Sequence, residues 1–474
     1  MSEPAARYSP PPAAILAAPP TGRCRQPLAL PGIGCALQPE AAPCPGNARP
    51  LPGHRRRAVL LGAAALALSA CGLDAARAGP AHQETPSPPA GTPAATAATA
   101  EPSAPPALTS AGDGGPAGDE AAIATAIEQT LARRAAALAA GDRAAFLATI
   151  DQRNLTWRRI QSDVFEANAR RGPPDRSTVT RVQPKPGGYY KAWIDITPAG
   201  ASRPARWVVW VFHPSDQGWL LAEPLNDELG TRRTLESEHF ILAYYPWDDD
   251  VIDRMAAVAE QGHAKATTRL GATPDRKAQL SVNPTYASHS GLQEVGVLAA
   301  YLSGTKSMIL VRSLESYGAG STAVGQSQEE RLLTAVTHEY THLINDQIVP
   351  LVKEPEWMQE GLAVYISDDL WPDVMRSALR AGRTVPLEKA SDIISWKLDP
   401  ARGYTQADIT LAYAESGYAV AYFIQRFGQS AFFDLARAFA ESRRWDESFR
   451  QVAGISWEQF QSDWLAWVRP QVGA

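Results

Sequence analysis

Leu332, Val336, Tyr340, Leu343 and Ile344 recur at three- and four-residue steps, which is the spacing of one apolar stripe along a helix. Gln328, Glu329 and Glu330 put acidic character at its start, where the helix dipole favours it. A second helix is predicted from Pro355, whose fixed φ suits a first turn, with Trp357, Leu362 and Tyr365 as burying positions. Upstream, Ala121 to Ile150 reads as helix: Ile123, Ile127, Leu131, Ala135 and Leu138 form a stripe, Gly141-Asp142 interrupts it, and Phe146, Leu147 and Ile150 resume. The period then shortens. Tyr189 to Thr197 and Arg206 to Phe212 alternate as strands do, and Gly218 to Ala222 follows a Pro-Ser-Asp-Gln turn. His239 to Tyr245, Ala278 to Val282 and Ser307 to Val311 predict further strands, with a helix over Val251 to Leu270 that turns Ile252, Met255, Val258 and Ala259 inward. Tyr317 to Gly325, with three glycines, reads as a mobile loop. Helices are expected over Ala412 to Phe427, with Gly428 as the stop, Ala431 to Ala440, and Trp457 to Val468.

The front of the chain has no such pattern. Residues 1–50 are rich in Pro, Ala and Gly, which argues against a packed unit. Arg55, Arg56 and Arg57 then precede an apolar run from Ala58 to Leu68 and the tetrad Leu68-Ser69-Ala70-Cys71. Basic, then apolar, then small residues is the order of a secretory signal peptide, and the run is short for a spanning helix. The tetrad resembles the bacterial lipobox, whose cysteine is diacylated and becomes the new N-terminus, so the resemblance makes Cys71 the lipidated residue. Arg56-Arg57 is loosely similar to a twin-arginine export signal, and a translation start near Leu51 is expected. From Gly72 to about Glu120 the chain is Ala, Pro, Thr, Ser and Gly, the composition of an extended tether. Cys24, Cys35, Cys44 and Cys71 all lie at this end, so everything beyond Cys71 folds without disulfides.

The 474 residues, 45% hydrophobic, allow more than one domain, and a net charge of -5 gives no electrostatic reason to expect a nucleic-acid partner. The expected α+β organisation is an extension and signal peptide over 1–71, a tether over 72–120, an accessory domain over 121–229 and a C-terminal domain over 230–474. A long helix followed by curled antiparallel strands resembles the nuclear-transport-factor-2-like fold. Such domains often hold ligands in a cone, but Trp157, Trp193, Trp207, Trp210 and Trp219 read first as core or interface residues.

The chemistry sits in His338-Glu339-Tyr340-Thr341-His342. Residues four apart on a helix share a face, so His338 and His342 can offer two imidazoles to one ion while Glu339 stands beside them. Both histidines fall opposite the apolar stripe, where ligands are expected to reach open space from a fixed backbone. Catalytic zinc takes three protein ligands, the third from a separate element. Glu360, in the predicted second helix, is that candidate, and Gly361 beside it lets two backbones approach closely.

His-Glu-x-x-His followed by Trp357-x-x-Glu360-Gly361-x-Ala363 resembles the gluzincin metallopeptidases, and especially the peptidase MA-like domains. The resemblance implies a peptide or protein substrate, Zn2+ held by His338, His342 and Glu360, and Glu339 as general base. It also implies a tyrosine near the zinc that donates to the oxyanion, for which Tyr413 is the candidate and Tyr418 the alternate. The strand just before the active helix, Ser307 to Val311, would pair with an extended substrate. Asp346, one turn beyond His342, is expected to accept the other imidazole N–H of that residue. His239, His263 and His289 lack metal spacing and are expected to be surface or core residues. The resulting expectation is an exported zinc peptidase attached to a membrane through Cys71. The reading from a different class is a non-catalytic envelope binding or scaffolding lipoprotein with a degenerate zinc domain.

Overall fold

Helix α1 (Ala117–Ala140) is the first described element, starting just inside the stretch expected to be tether. The computed structural model describes residues 117–169, 175–202, 204, 206–288, 298–303, 308–318, 326–397 and 399–474. Cys71 and the signal-like run lie outside them, as do His289 and residues 319–325 of the expected loop. Among the described residues, no helix is long and apolar enough to cross a membrane.

After α1 come two short helices with side-chain caps. In α2 (Arg143–Leu147) Asp142 accepts the Ala145 N–H at 3.0 Å, and in α3 (Leu155–Asn168) Asn154 accepts the Trp157 N–H at 3.0 Å. Strands β1 (Arg176–Pro184), β2 (Tyr190–Thr197), β3 (Arg206–Ser215) and β4 (Gly218–Leu221) follow as an antiparallel meander in that order. Ala192, Ile194, Ile196, Val208, Phe212 and Leu221 point inward from the sheet against Ile127, Leu131, Phe146 and Ile160 from the helices. Of the five tryptophans singled out above, Trp157 joins this core and the other four are half-buried.

A second, mixed sheet contains β5 (Arg233–Glu236), β6 (Phe240–Tyr244), β7 (Ala278–Asn283), β8 (Ala299–Leu302) and β9 (Met308–Arg312), in the order β5-β6-β7-β9-β8. β6, β7 and β9 run parallel, while β5 and β8 are antiparallel edges. The strand expected to face substrate, Ser307 to Val311, therefore does not: β9 is hydrogen-bonded on both sides, and β8 is the outer strand. The unbroken apolar run Ile309-Leu310-Val311, buried on both faces, is what an interior strand needs.

Helix α4 (Ile252–Leu270) joins β6 to β7 and lies along α5 (Gln328–Ile348). Gly262 permits this approach, because a Cβ there would sit 2.9 Å from Val336 Cγ1. Helices α6 (Glu356–Ser367), α7 (Pro372–Ala381), α8 (Leu387–Ser395), α9 (Gln406–Phe427), α10 (Gln429–Ser442), α11 (Trp445–Ala453) and α12 (Trp457–Val472) complete the chain. Trp357 of α6 is buried among Trp445, Trp457 and Phe460, which fastens α6 to the C-terminal helices.

The two sheets meet through buried charge. Lys191 of β2 pairs with Glu315 in the single-turn helix Leu314–Gly318, and Lys185 pairs with Asp250 at 2.7 Å. Arg312 of β9 faces Glu223 at 3.5 Å and stacks over Tyr286 at 4.1 Å. Burial pushes Glu223 up to about 7 even with Arg312 beside it.

Candidate metal centre

Helix α5 begins with a capping box. Ser327 Oγ accepts the Glu330 N–H at 3.1 Å and Glu330 Oε2 accepts the Ser327 N–H at 2.7 Å, which pins the N-terminus and so the rotational phase of the helix. Leu332, Val336, Tyr340, Leu343 and Ile344 are buried in the main core, as their spacing predicts. The opposite face departs from expectation. His338 and Glu339 are 0% exposed and His342 is 4% exposed, so the ligands do not look onto open space. The cause is α6, which crosses directly over them.

That crossing depends on Gly361. A Cβ at this position would lie 2.5 Å from the Ser416 carbonyl oxygen and 2.7 Å from Val420 Cγ2, both on α9. With only hydrogen there, α6 is pressed between α9 and α5, and Glu360 is driven onto the histidines. His338 Nε2 lies 3.1 Å and His342 Nε2 3.4 Å from Glu360 Oε2, and the two Nε2 atoms are 3.3 Å apart. Three ligands at about 2.05 Å around a tetrahedral ion are separated by roughly 3.3 Å, so this triangle has the dimensions of a zinc face.

The protonation states agree with that use. Burial lowers His338 below the usual imidazole range, against the pull of Glu360. Burial pushes Glu360 upward, but His342 and His338 outweigh it and hold the carboxyl well below its ordinary value. A neutral imidazole and an ionised carboxylate are the forms that ligate. Glu339 behaves in the opposite way: burial, then the charge of Glu360, raise it well above the usual range.

The remaining expected residues are held by other partners. Asp346 does not support His342, because its oxygens accept from the Tyr301 hydroxyl at 3.0 Å and from the Leu351 N–H at 3.0 Å. It thereby ties outer strand β8 to α5 and to the turn after it. Tyr413 is fully buried beside Val364, Ala390 and Ile393, and the Lys397 ammonium donates to its hydroxyl. Tyr418 belongs to the main core. Lys397, which no motif flags, is a residue that sequence reasoning missed. It follows the C-terminus of α8, and its charge reaches His338, Glu339 and Glu360. His263 is buried and His239 half-buried, and the fold stacks their rings with centroids 3.6 Å apart, next to Glu260, a proximity their sequence spacing does not mark.

Residues 317–470 match the Peptidase MA superfamily model. That span runs from the turn before α5 into α12 and contains both His338-Glu339-x-x-His342 and Trp357-x-x-Glu360-Gly361, so the match falls on the helical C-terminal part. No curated protein matches the chain. Among solved structures, the aminopeptidase A of Legionella pneumophila in complex with aspartic acid is similar at 16% identity and a TM-score of 0.28; the match covers 52% of this chain and 30% of that one.

Proposed function

We propose that this chain is a zinc-dependent peptidase in which His338, His342 and Glu360 hold the ion and Glu339 is the general base. The observation that carries the reading is the triangle of donor atoms with edges of 3.1, 3.3 and 3.4 Å, with a further buried carboxylate on the same helix turn. A zinc ion at such a site supplies Lewis-acid chemistry, bringing water to a pKa near ~7 and polarising a carbonyl. Glu339, next to His338 on the same helix turn, accepts the proton of the attacking water and delivers it to the leaving amine. Lys397 and Tyr413 form a hydrogen-bonded pair whose positive charge faces the reacting region. The substrate backbone pairs with β8, whose outer edge pairs with no strand among the described residues. The signal-like run and the Leu68-Ser69-Ala70-Cys71 tetrad support an exported protein held to a membrane by lipid on Cys71.

The test is zinc content and cleavage of a peptide library by the purified protein and by Glu339→Gln. Zinc in both, with turnover at least ~100-fold lower in the variant, is the expected result. Zinc bound with no cleavage by the wild-type protein would favour the scaffolding alternative instead.

A further inference from the structure

His239 stands immediately before β6, and Glu260 and His263 lie one turn apart on the facing side of α4. Residues three apart on a helix project together, so Glu260 and His263 present a carboxylate and an imidazole to the same neighbour. That neighbour is His239: Glu260 accepts its backbone N–H at 2.9 Å, lies 2.7 Å from its Nδ1, and also accepts the Ser237 hydroxyl at 2.6 Å. The His263 ring lies almost parallel to the His239 ring, at 15°. One donor atom from each of the three residues lies within 4.8 Å of the other two. Among the described residues only His338, His342 and Glu360 form another group of this kind. His263 is buried, and its Nε2 has no hydrogen-bond partner.

We propose that His239, Glu260 and His263 are a second, structural cation site, selective for divalent ions of the zinc, nickel or copper type. Two imidazole nitrogens and one carboxylate oxygen are the donors that such ions prefer, and calcium or magnesium would need oxygen ligands that this group lacks. The Nδ1 to Oε2 separation of 2.7 Å is that of a hydrogen bond, so the two groups move apart to the roughly 3.3 Å of ligands on one ion as the ion takes the place of the proton between His239 and Glu260. Parallel rings do not aim both lone pairs at one point. Binding therefore swings His239 off His263, a movement open to a side chain that is 34% exposed at the start of a strand. His263 is held in place, edge-on to Tyr340 at 5.2 Å. Tyr340 follows Glu339 on α5, so the ion fastens the start of β6 to the helix that backs the catalytic one. Its role is to stiffen that contact rather than to touch substrate.

The experiment is zinc titration of the metal-stripped full chain, with His side-chain NMR and thermal melting as further readouts. The wild-type protein is expected to bind two equivalents, and Glu260→Gln or His239→Ala to bind one. The double variant His338→Ala/His342→Ala is expected to bind one as well, and zinc raises its melting temperature in a saturable way. In that variant zinc also abolishes the mutual ring-current shifts of the His239 and His263 protons. An equivalent count left unchanged from wild type when His239→Ala and Glu260→Gln are combined overturns the site, as does a His338→Ala/His342→Ala variant that binds no zinc. Failure of the catalytic reading looks different: the His338→Ala/His342→Ala variant would then bind as many equivalents as the wild-type protein.

Discussion

The metal centre and the junction between the two sheets both bury ionisable side chains, but they arrange them in opposite ways. At the junction buried basic groups are matched across a gap: Lys191 to Glu315, Lys185 to the more exposed Asp250, Arg312 to Glu223. At the centre, His338, His342 and Glu360 converge on one point, with the Glu339 carboxylate beside them. Burying a charge without a partner costs several kcal/mol, so matched pairs are what a structural interface requires. Convergence is the arrangement that a site taking up a further positive group would need. The pattern of pairing, more than burial itself, separates the part of this molecule built to hold together from the part built to bind.

The largest effect should come from removing a converging ligand. His342→Ala is expected to lose the ion of the centre and with it all measurable peptide cleavage, while circular dichroism stays that of a folded protein. Atomic absorption on the dialysed variant is the check. Unchanged metal content combined with unchanged turnover would break the comparison at its first step.

Next in size is the junction. Lys191→Met leaves Glu315 as an uncompensated buried carboxylate, and loss of one partner of such a pair costs about 3–5 kcal/mol. Urea denaturation should show that loss, and Lys191→Met combined with Glu315→Leu should recover most of it, because a matched apolar pair fills the same space. Zinc content should stay that of the wild-type protein in both variants. If the double variant is as unstable as the single one, the junction is not a simple pair and its carboxylates serve something else.

Gly361→Ala sits between the two regions in kind, since it alters packing and ligand position together. The added methyl group collides with the Ser416 carbonyl, so α6 must back away from α9 at about 1–3 kcal/mol. Glu360 moves with it. Weaker zinc binding together with lower stability is expected, read by competition with a chelator and by melting. Lower stability with undiminished affinity would show that Glu360 adjusts independently of its helix.

How much of this was legible in the residues follows the same division. The stripe of α5, the acidic residues at its start, the paired histidines and the Glu360-Gly361 step are local patterns, and each depends on spacing within one helix. The glycine's close approach was readable as a need, although the partner, α9, was not. What escaped is whatever depends on a crossing. Burial of the ligand face follows from where α6 lands. The interior place of β9 follows from chain order in the sheet, although the apolar run Ile309-Leu310-Val311 carried a hint. Strand β1 and helix α3 are mostly polar along their exposed faces and gave no clean period. Lys397 reaches the centre from a separate helix end, and His239 meets His263 only because β6 and α4 pack together, so no spacing rule marks either one.

The smallest expected effect concerns pH, and it has opposite signs in the two regions. Glu360 is held below its ordinary range, so it contributes stability above the unfolded pKa that is lost on acidification. Glu223 is raised by burial from 4.5 to about 7, so the folded state holds its proton longer than the unfolded one. Between those two values the unfolded chain gives up the proton first, and stability falls as pH rises. In Glu223→Gln this downward slope is absent, because an amide of the same size keeps a donor and an acceptor and never ionises. Unfolding free energies from urea curves between about pH 5 and about pH 8 should therefore decline less in the variant than in the wild-type protein, by about 2 kcal/mol over the range. Identical slopes would mean that Arg312 keeps Glu223 ionised throughout, and the junction would then be an ordinary ion pair with no proton in reserve.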